Sequence, residues 1–177
     1  LDVWAELLRA VPGSRLLLKN HSLTDATVRK HCCDTLEVRG IDPRRVDLRG
    51  HVPDLQGHLA AYTDLDIALD TFPYNGTTTT CEALWMGVPV VSLVGTRHSA
   101  RVGLSLLSAI GHPEWVASDA ASYVHTAAGL AADLPGLAST RAALRNDLVG
   151  SPLCDATALA RSVETAYREA WRHWCGH

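Results

Sequence analysis

The sequence predicts an α/β fold built on a doubly wound parallel sheet. Short apolar runs alternate with segments of helical composition almost throughout the 177 residues. Such runs are typical of parallel strands covered by helices on both faces, and right-handed crossovers between them give a Rossmann-like domain. The length favours one domain, so we expect residues 1–177 to form a single lobe, with the helices from about residue 119 onward packed on it.

The elements follow one another in a regular order. Apolar residues at helical spacing predict a helix at the start of the chain, and the apolar run after the turn Pro12-Gly13-Ser14 predicts a strand. Gly40 and Gly87 are placed to close two helices, because glycine is favoured just beyond a helix C-terminus. The predicted strands are Arg15–Lys19, Val46–Leu48, Asp66–Asp70, Pro89–Val94 and Trp115-Val116. The predicted helices are Leu1–Val11, Thr24–Arg39, Leu55–Tyr62, Thr78–Met86 and Ala100–Ile110, followed by helices over most of Asp119–Trp174.

The composition argues against several classes of function. Apolar residues make up 47% and charged residues 20%, with a net charge of −3, which is the balance of an ordinary globular protein. This charge supplies no basic field for a phosphate backbone, so we expect no nucleic-acid partner. No apolar run approaches the roughly 18 residues of a membrane span, so we expect no membrane partner. Leu1 is not an initiator methionine and falls within a predicted helix, which indicates a piece of a longer protein.

The five cysteines favour reduced thiols in a cytoplasmic protein. Their number is odd, and their spacing is not that of a disulfide framework. His31, Cys32 and Cys33 are adjacent, but adjacent helical side chains diverge and no second ligand pair stands at a zinc-like spacing. We therefore expect no metal site.

The segment Thr71–Glu82 carries the strongest candidate for a binding site. It links a predicted strand to a predicted helix, at the edge of a parallel sheet where ligands bind. Gly76 allows the backbone to approach a ligand closely, and the helix N-terminus favours an anion. Hydroxyls from Thr77, Thr78 and Thr79 add neutral donors that suit a diphosphate.

Glu82 extends this hypothesis to a whole nucleotide. Thr78 and Glu82 are four residues apart, so their β-carbons should lie about 5–6 Å apart on one helix face. A carboxylate is a good acceptor for two vicinal ribose hydroxyls. The alternative is structural, since threonines are ordinary helix N-caps and an acidic residue in the first turns suits the helix dipole. The residue pattern alone leaves both interpretations open.

A resemblance favours the ligand-binding interpretation. The run Asp66–Leu93, DIALDTFPYNGTTTTCEALWMGVPVVSL, resembles the donor-binding segment of the O-GlcNAc transferase and SPINDLY family of GT-B glycosyltransferases. The resemblance continues through Gly95–Leu107, Gly150–Leu153 and the final AYREAWRHWC. It implies a two-lobed enzyme in which this chain is the C-terminal lobe and holds most of the nucleotide-sugar donor. It also implies an N-terminal lobe and tetratricopeptide repeats upstream.

The resemblance assigns roles to individual residues. It implies that Thr78 and Thr79 hold the donor diphosphate and that Glu82 binds the ribose. Thr77 stands where animal O-GlcNAc transferases have a phosphate-contacting histidine and where SPINDLY-like sequences also have threonine. His58 corresponds to a histidine that packs against the nucleobase, and the alternative for His58 is an exposed helix residue without that role.

The chain departs from the family pattern near the base. Leu55 and Ala61 stand where the family has a lysine and an arginine that contact the base and ribose, which weakens the case for uracil. The family's phosphate-binding glutamine and lysine lie upstream of Leu1. Lys19, at the end of the first predicted strand, is a further phosphate candidate or else a solvated lysine. Arg101 either faces the cleft or pairs with a surface carboxylate.

The expected function of the longer protein is transfer of a sugar to protein serine or threonine hydroxyls, by inversion and without a metal or other cofactor. UDP-GlcNAc is the first choice of donor. GDP-fucose is the rival, because GTTTTCE, with Thr77, resembles SPINDLY more closely. A non-catalytic module that binds a nucleotide or a partner is the alternative of a different class. No catalytic residue is assigned within this chain, and we expect the chain alone to be inactive.

Overall fold

A computed structural model describes residues 1–176, in which parallel strands alternate with helices. The strands are β1 (Leu16–Lys19), β2 (Val46–Arg49), β3 (Ala68–Leu69), β4 (Val90–Leu93) and β5 (Val116–Ala117). The α-helices are α1 (Asp2–Ala10), α2 (Ala26–Val38), α3 (Leu55–Ala60), α4 (Thr78–Trp85), α5 (Val102–Ala109), α6 (Ala120–Ala132), α7 (Leu134–Val149) and α8 (Ala156–Trp174). The order of elements confirms the predicted α/β fold class.

All the strand pairs are parallel. β1 pairs with β2, with Leu16 opposite Val46, and β4 lies between β3 and β5. β3 is shorter than the predicted run Asp66–Asp70. Just before β3, the Arg141 guanidinium donates to the backbone carbonyl of Asp66 at 3.0 Å. A side chain of α7 thereby occupies an acceptor at the entrance to the predicted strand.

Three apolar clusters form the core, and shared side chains join them. Leu84, Leu107 and Leu144 are fully buried in the cluster that α4, α5 and α7 form beside β4. Leu69 in β3 packs against both the cluster beside β1 and β2 and the cluster between β4 and α6. The two groups of strands therefore share one core.

Helix α2 shows how the local sequence sets its ends. The Asp25 carboxylate accepts from two backbone N–H groups of the first turn, at 2.7 and 3.2 Å. At the other end Gly40 adopts a φ of +79°, and the chain leaves the helix as the sequence predicts. The helix begins two residues later than predicted, because Thr24 belongs to the 3-10 turn His21–Thr24.

Helix α8 departs from the expectation that the C-terminal helices pack on the rest of the lobe. Helices α6 and α7 do pack, through buried residues such as Tyr123 and Leu144. Every residue of α8 is exposed, and the helix contacts mainly the turn Pro152–Cys154, so its apolar side chains have nothing to pack on within residues 1–176. They form an exposed stripe of Leu159, Val163, Tyr167, Trp171 and Trp174. Neither α8 nor any other helix of the described residues has the length and apolar character needed to cross a membrane.

Gly87 sets the contact between α4 and α7. Its φ is +72°, and a β-carbon at this position would lie 2.8 Å from the carbonyl oxygen of Arg141. Helix α7 is held against this turn by Arg145, which donates to the Trp85 carbonyl at 2.7 Å and lies over the Trp85 ring. The position therefore requires glycine both for its left-handed backbone and for close packing.

The variant Gly87→Ala is expected to lower the free energy of unfolding by about 2–4 kcal/mol, because a backbone strain of about 1–2 kcal/mol is joined by the clash with α7. Gly13→Ala is the matched control, since Gly13 has a φ of +87° but nothing within 4 Å of its β-carbon. This control should lose only the backbone term of about 1–2 kcal/mol. Urea unfolding followed by tryptophan fluorescence measures both, and equal losses would contradict a role for the contact with Arg141.

Candidate functional site

The Asp70 carboxylate organises the candidate site. Asp70 directly follows β3 and is only 6% exposed. Its Oδ1 accepts from the Gly76 N–H at 2.7 Å, and its Oδ2 accepts from the Ser92 hydroxyl at 2.6 Å. Burial raises the pKa of Asp70, and the two hydrogen bonds oppose that rise because they stabilise the ionised form. The carboxylate thus ties the loop Thr71–Gly76 to β4.

Asn75 anchors the same loop to α5. It is 1% exposed, and its Oδ1 accepts from the Gly103 N–H at 3.3 Å. Its Nδ2 donates to the carbonyls of Thr71 at 3.1 Å and Leu93 at 3.4 Å. The loop before α4 is therefore held by buried hydrogen bonds to two neighbouring elements.

Gly76 lies against the first turn of α4. A β-carbon here would overlap with the Thr79 hydroxyl and would lie 3.0 Å from the Thr80 hydroxyl. Thr80 is buried, and its hydroxyl donates back to the Gly76 carbonyl at 3.1 Å. A side chain at this position would force the Thr79 hydroxyl to move, so glycine suits this approach of the loop to the helix.

The N-terminus of α4 is open to solvent. Thr77 is the N-cap residue, but its side chain makes no capping hydrogen bond. Thr77, Thr78 and Thr79 are all exposed. The first N–H groups of a helix lack intrahelical partners, and together with nearby hydroxyls they suit an anion. The structural alternative for these threonines is helix N-capping. Thr77 makes no such hydrogen bond.

A series of hydrogen bonds joins β1, α3 and α4 beside this helix end. Lys19 Nζ lies 2.8 Å from His58 Nδ1, and His58 Nε2 lies 2.8 Å from Glu82 Oε2. The Tyr62 hydroxyl lies 3.3 Å from the same carboxylate oxygen. Burial raises the pKa of Tyr62 well above its usual range, and the Glu82 charge adds to that rise, so Tyr62 remains a donor at neutral pH. Three of the candidate residues, Lys19, His58 and Glu82, thus lie together.

Arg101 and the two positions near His58 that depart from the family pattern lie outside this series. Arg101 is exposed and donates to the Gly95 carbonyl at 3.1 Å, so its contact is neither with the series nor with a carboxylate. Leu55 on α3 is 69% exposed, and Ala61 follows that helix. The two positions where the family has basic side chains therefore offer small or apolar surface.

Four site residues were not identified from the sequence: Asp70, Asn75, Ser92 and Tyr62. Asp70 carries a usable signal, because a carboxylate at the carboxyl end of a buried strand lies at the edge of the sheet where ligands bind. Tyr62 stands four residues after His58, a spacing that places two side chains on one helical face. Asn75 and Ser92 give no local signal, since their hydrogen bonds to Gly103 and Asp70 span 28 and 22 residues.

The part of the chain that the structure describes contains no group of three or more His, Cys, Asp or Glu side chains placed to hold a metal ion. All five cysteines are free thiols. Cys32 and Cys33 are half-buried on α2, and His31 beside them is exposed.

The fold places the chain in the class of Rossmann-like α/β lobes, whose ligands bind beyond the carboxyl ends of the strands, where these residues lie. Residues 1–163 match the model of glycosyl transferase family 41. The chain belongs to that family, as its resemblance to O-GlcNAc transferases and SPINDLY proteins predicts.

The sequence similarity to known proteins extends over nearly the whole chain. The probable UDP-N-acetylglucosamine–peptide N-acetylglucosaminyltransferase SPINDLY of Solanum lycopersicum is 45% identical over 175 residues, which are 99% of this chain and 19% of that protein. The UDP-N-acetylglucosamine–peptide N-acetylglucosaminyltransferase of Caenorhabditis elegans is 33% identical, over 98% of this chain and 15% of that protein. A solved structure of a mutant of the O-GlcNAc transferase of Thermobaculum terrenum superposes with a TM-score of 0.91 at 40% identity, over 99% of this chain and 34% of that one. The chain thus spans about a fifth of the plant relative.

The variant Asp70→Asn is expected to change how stability depends on pH. Because the folded-state pKa of Asp70 is raised, the protonated carboxyl contributes stability that is fully present below the ordinary pKa of about 4. That contribution is lost as the pH rises through the folded-state pKa, so the wild type should lose stability relative to the non-titrating variant as the pH rises from about 4.

Urea unfolding at a series of pH values between about 4 and 7 measures this difference. Asp133→Asn is the control, since Asp133 is an exposed cap of α7. Wild type and Asp70→Asn curves that stay parallel over this range would contradict the expectation.

Proposed function

We propose that this chain is the donor-binding lobe of a glycosyltransferase that moves a sugar from a nucleotide to protein serine or threonine hydroxyls. One observation carries the proposal: the open N-terminus of α4 lies one helical turn from Glu82, whose carboxylate contacts His58 and Tyr62. The helix end suits a diphosphate, and the carboxylate suits the vicinal hydroxyls of a ribose. The names of the relatives, which are peptide N-acetylglucosaminyltransferases, support an acceptor of this kind.

The proposed chemistry is stabilisation of the leaving nucleoside diphosphate. Negative charge develops on the diphosphate as the bond to the sugar breaks, and fixed donors around it lower the barrier. Thr77, Thr78, Thr79 and the N-terminus of α4 are the donors we assign to this role. They need little reorganisation, because buried hydrogen bonds hold the loop that precedes them. The acceptor hydroxyl attacks from the opposite face of the sugar, so the reaction inverts the anomeric centre.

The acceptor side of the cleft belongs, in this proposal, to an N-terminal lobe of the longer protein. The chain covers 19% of the length of the Solanum lycopersicum relative and 34% of the Thermobaculum terrenum chain. These shares leave room for that lobe and for tetratricopeptide repeats. Transfer needs donor and acceptor held together in a dry cleft. The free thiols favour a cytoplasmic location for this protein.

UDP-GlcNAc is the proposed donor. The names of the plant and nematode relatives specify UDP-N-acetylglucosamine, and the structural relative is an O-GlcNAc transferase. GDP-fucose is the competing donor, because Thr77 within GTTTTCE and the apolar Leu55 and Ala61 depart from the pattern of animal O-GlcNAc transferases. A panel of nucleotide sugars, assayed for binding to the longer protein, decides between the two donors.

Nucleoside diphosphates are expected to bind without a divalent metal. The helix end supplies the positive field that a metal would otherwise provide. Calorimetric titration of UDP and GDP, with EDTA and separately with excess Mg²⁺, should give the same affinity within about twofold, a difference of about 0.4 kcal/mol. Binding that disappears with EDTA and returns with Mg²⁺ would contradict the proposed metal independence.

Glu82→Gln is expected to weaken a ribonucleoside diphosphate by about tenfold or more, since a charged hydrogen bond contributes about 1.5–3 kcal/mol. The matching 2′-deoxy nucleotide should lose less, because it presents only one of the two hydroxyls. Glu37→Gln, an exposed glutamate of α2, is the control. Equal losses for the two nucleotides would leave Glu82 with only the helix-dipole role.

The chain alone is expected to bind nucleotide weakly and to transfer no sugar, because only one wall of the cleft is present. A mass-spectrometric assay on one acceptor peptide compares residues 1–177 with the two-lobed parent. Transfer by the chain alone would contradict the proposal that this chain forms only one wall of the cleft. Nucleotide binding without transfer by the parent would instead favour a non-catalytic binding module.

A further inference from the structure

The contacts of Lys19 and Tyr62 point to a positioning role for these two residues. Lys19 ends β1 and is half-buried, and its ammonium reaches His58 Nδ1 at 2.8 Å and the His58 carbonyl at 3.5 Å. Tyr62 lies in the 3-10 turn Ala61–Asp64 after α3, and its hydroxyl reaches Glu82 Oε2 at 3.3 Å and the Thr79 carbonyl at 3.2 Å. Each side chain thus contacts a residue that the proposed function assigns to the nucleotide.

We infer that Lys19 and Tyr62 are positioning residues that hold His58 in its Nε2–H tautomer and hold the Glu82 carboxylate in one orientation for a ribose. The tautomer follows from the donors and acceptors at each end of the ring. An ammonium only donates, so His58 Nδ1 must accept with its lone pair. A carboxylate only accepts, so His58 Nε2 must carry the ring proton and donate it to Glu82. Both neighbours therefore require the same tautomer.

The orientation of Glu82 follows from which of its oxygens is engaged. His58 and Tyr62 both contact Oε2, and no hydrogen bond among residues 1–176 involves Oε1. His58 donates to Oε2, and the Tyr62 hydroxyl shares its one proton between Oε2 and the Thr79 carbonyl. These contacts restrain the carboxylate on one side and leave Oε1 as an acceptor. A ribose hydroxyl is the ligand group that this free acceptor suits, and this consequence rests on the proposed function.

The series also explains how distant parts of the sequence act together on one carboxylate. Lys19 and His58 are 39 residues apart, and His58 and Glu82 are 24 residues apart. The side chains of His58 and Glu82 are 28% and 21% exposed, so water competes for their hydrogen bonds only in part. Loss of the Lys19 donor would remove one of the two contacts that require the Nε2–H tautomer and leave Glu82 as the other.

Nitrogen-15 NMR of the ligand-free chain, with labelled histidine, tests the tautomer directly. The ring nitrogens of His58 are assigned among the nine histidines with a His58→Gln variant. The expected spectrum shows His58 unprotonated at Nδ1 and protonated at Nε2. Lys19→Met should shift the His58 signals toward a mixture of tautomers, and Lys19→Arg, which keeps a donor, should restore them. Lys30→Met, an exposed lysine paired with Asp34, is the control and should leave them unchanged.

A ring proton on Nδ1 in the wild type, or His58 signals that do not respond to Lys19→Met, would overturn the inference. The wild-type spectrum decides the tautomer even if a variant fails to fold.

The second readout is the preference for a ribonucleoside diphosphate over its 2′-deoxy form. Tyr62→Phe should reduce this preference by about three- to tenfold, because the Glu82 carboxylate loses one of the two contacts on Oε2. Tyr167→Phe, on the exposed face of α8, is the matched control and should not change it. An unchanged preference in Tyr62→Phe would overturn the positioning role of Tyr62. Failure of every nucleotide to bind would overturn the proposed function instead, while the NMR result would still decide the tautomer.

Discussion

The buried carboxylate of Asp70 is the constraint on which the arrangement of the lobe depends. Its two oxygens accept from the backbone of Gly76 and from Ser92 on β4, so one side chain fixes the loop, the strand and the start of α4 together. The backbone carbonyl of Asp70 accepts from the buried Tyr123 hydroxyl at 2.9 Å, which adds α6. Burying a carboxylate is unfavourable unless hydrogen bonds compensate. The surrounding hydrogen bonds offset part of that cost, and the carboxylate holds the groups that donate them in place.

Close packing around Asp70 leaves few alternatives for the neighbouring backbone. A β-carbon on Gly103 would overlap with the Ser92 hydroxyl and lie 2.9 Å from Asp70 Oδ2, so α5 begins where only glycine fits. Gly76 is constrained in the same way by Thr79. The buried polar groups and the two glycines therefore form one unit. A rigid support of this kind lets the exposed threonines of α4 keep their positions without a ligand.

The sequence predicts the local features of this molecule better than the distant contacts. Apolar runs predict all five strands within a few residues, and Gly40 and Gly87 end their helices with positive φ as expected. The pattern from Thr77 to Glu82 is local, and its helix and exposed threonines are where the spacing puts them. The hydrogen bond from Arg141 to the Asp66 carbonyl, just before β3, could not be predicted, because it spans 75 residues.

The contacts that build the site also join distant parts of the chain, so the local sequence does not predict them. Lys19, His58 and Tyr62 meet Glu82 only because β1, α3 and α4 lie side by side, and nothing within any one of those segments encodes the meeting. The exposed side of α8 is a different case. Its amphipathic pattern predicts a buried face, but the pattern carries no information on which surface would cover it.

The two sides of the candidate site differ in how readily they tolerate mutation. The loop and start of α4 sit on buried polar groups, and changes there disturb the core. Helix α3 is six residues long and buries none of them, and Leu55 on it is 69% exposed. Substitutions on exposed positions away from caps and networks usually change stability by less than about 0.5 kcal/mol. Variation at Leu55 can therefore accumulate over evolution, or be introduced by design, with the fold and the N-terminus of α4 left intact.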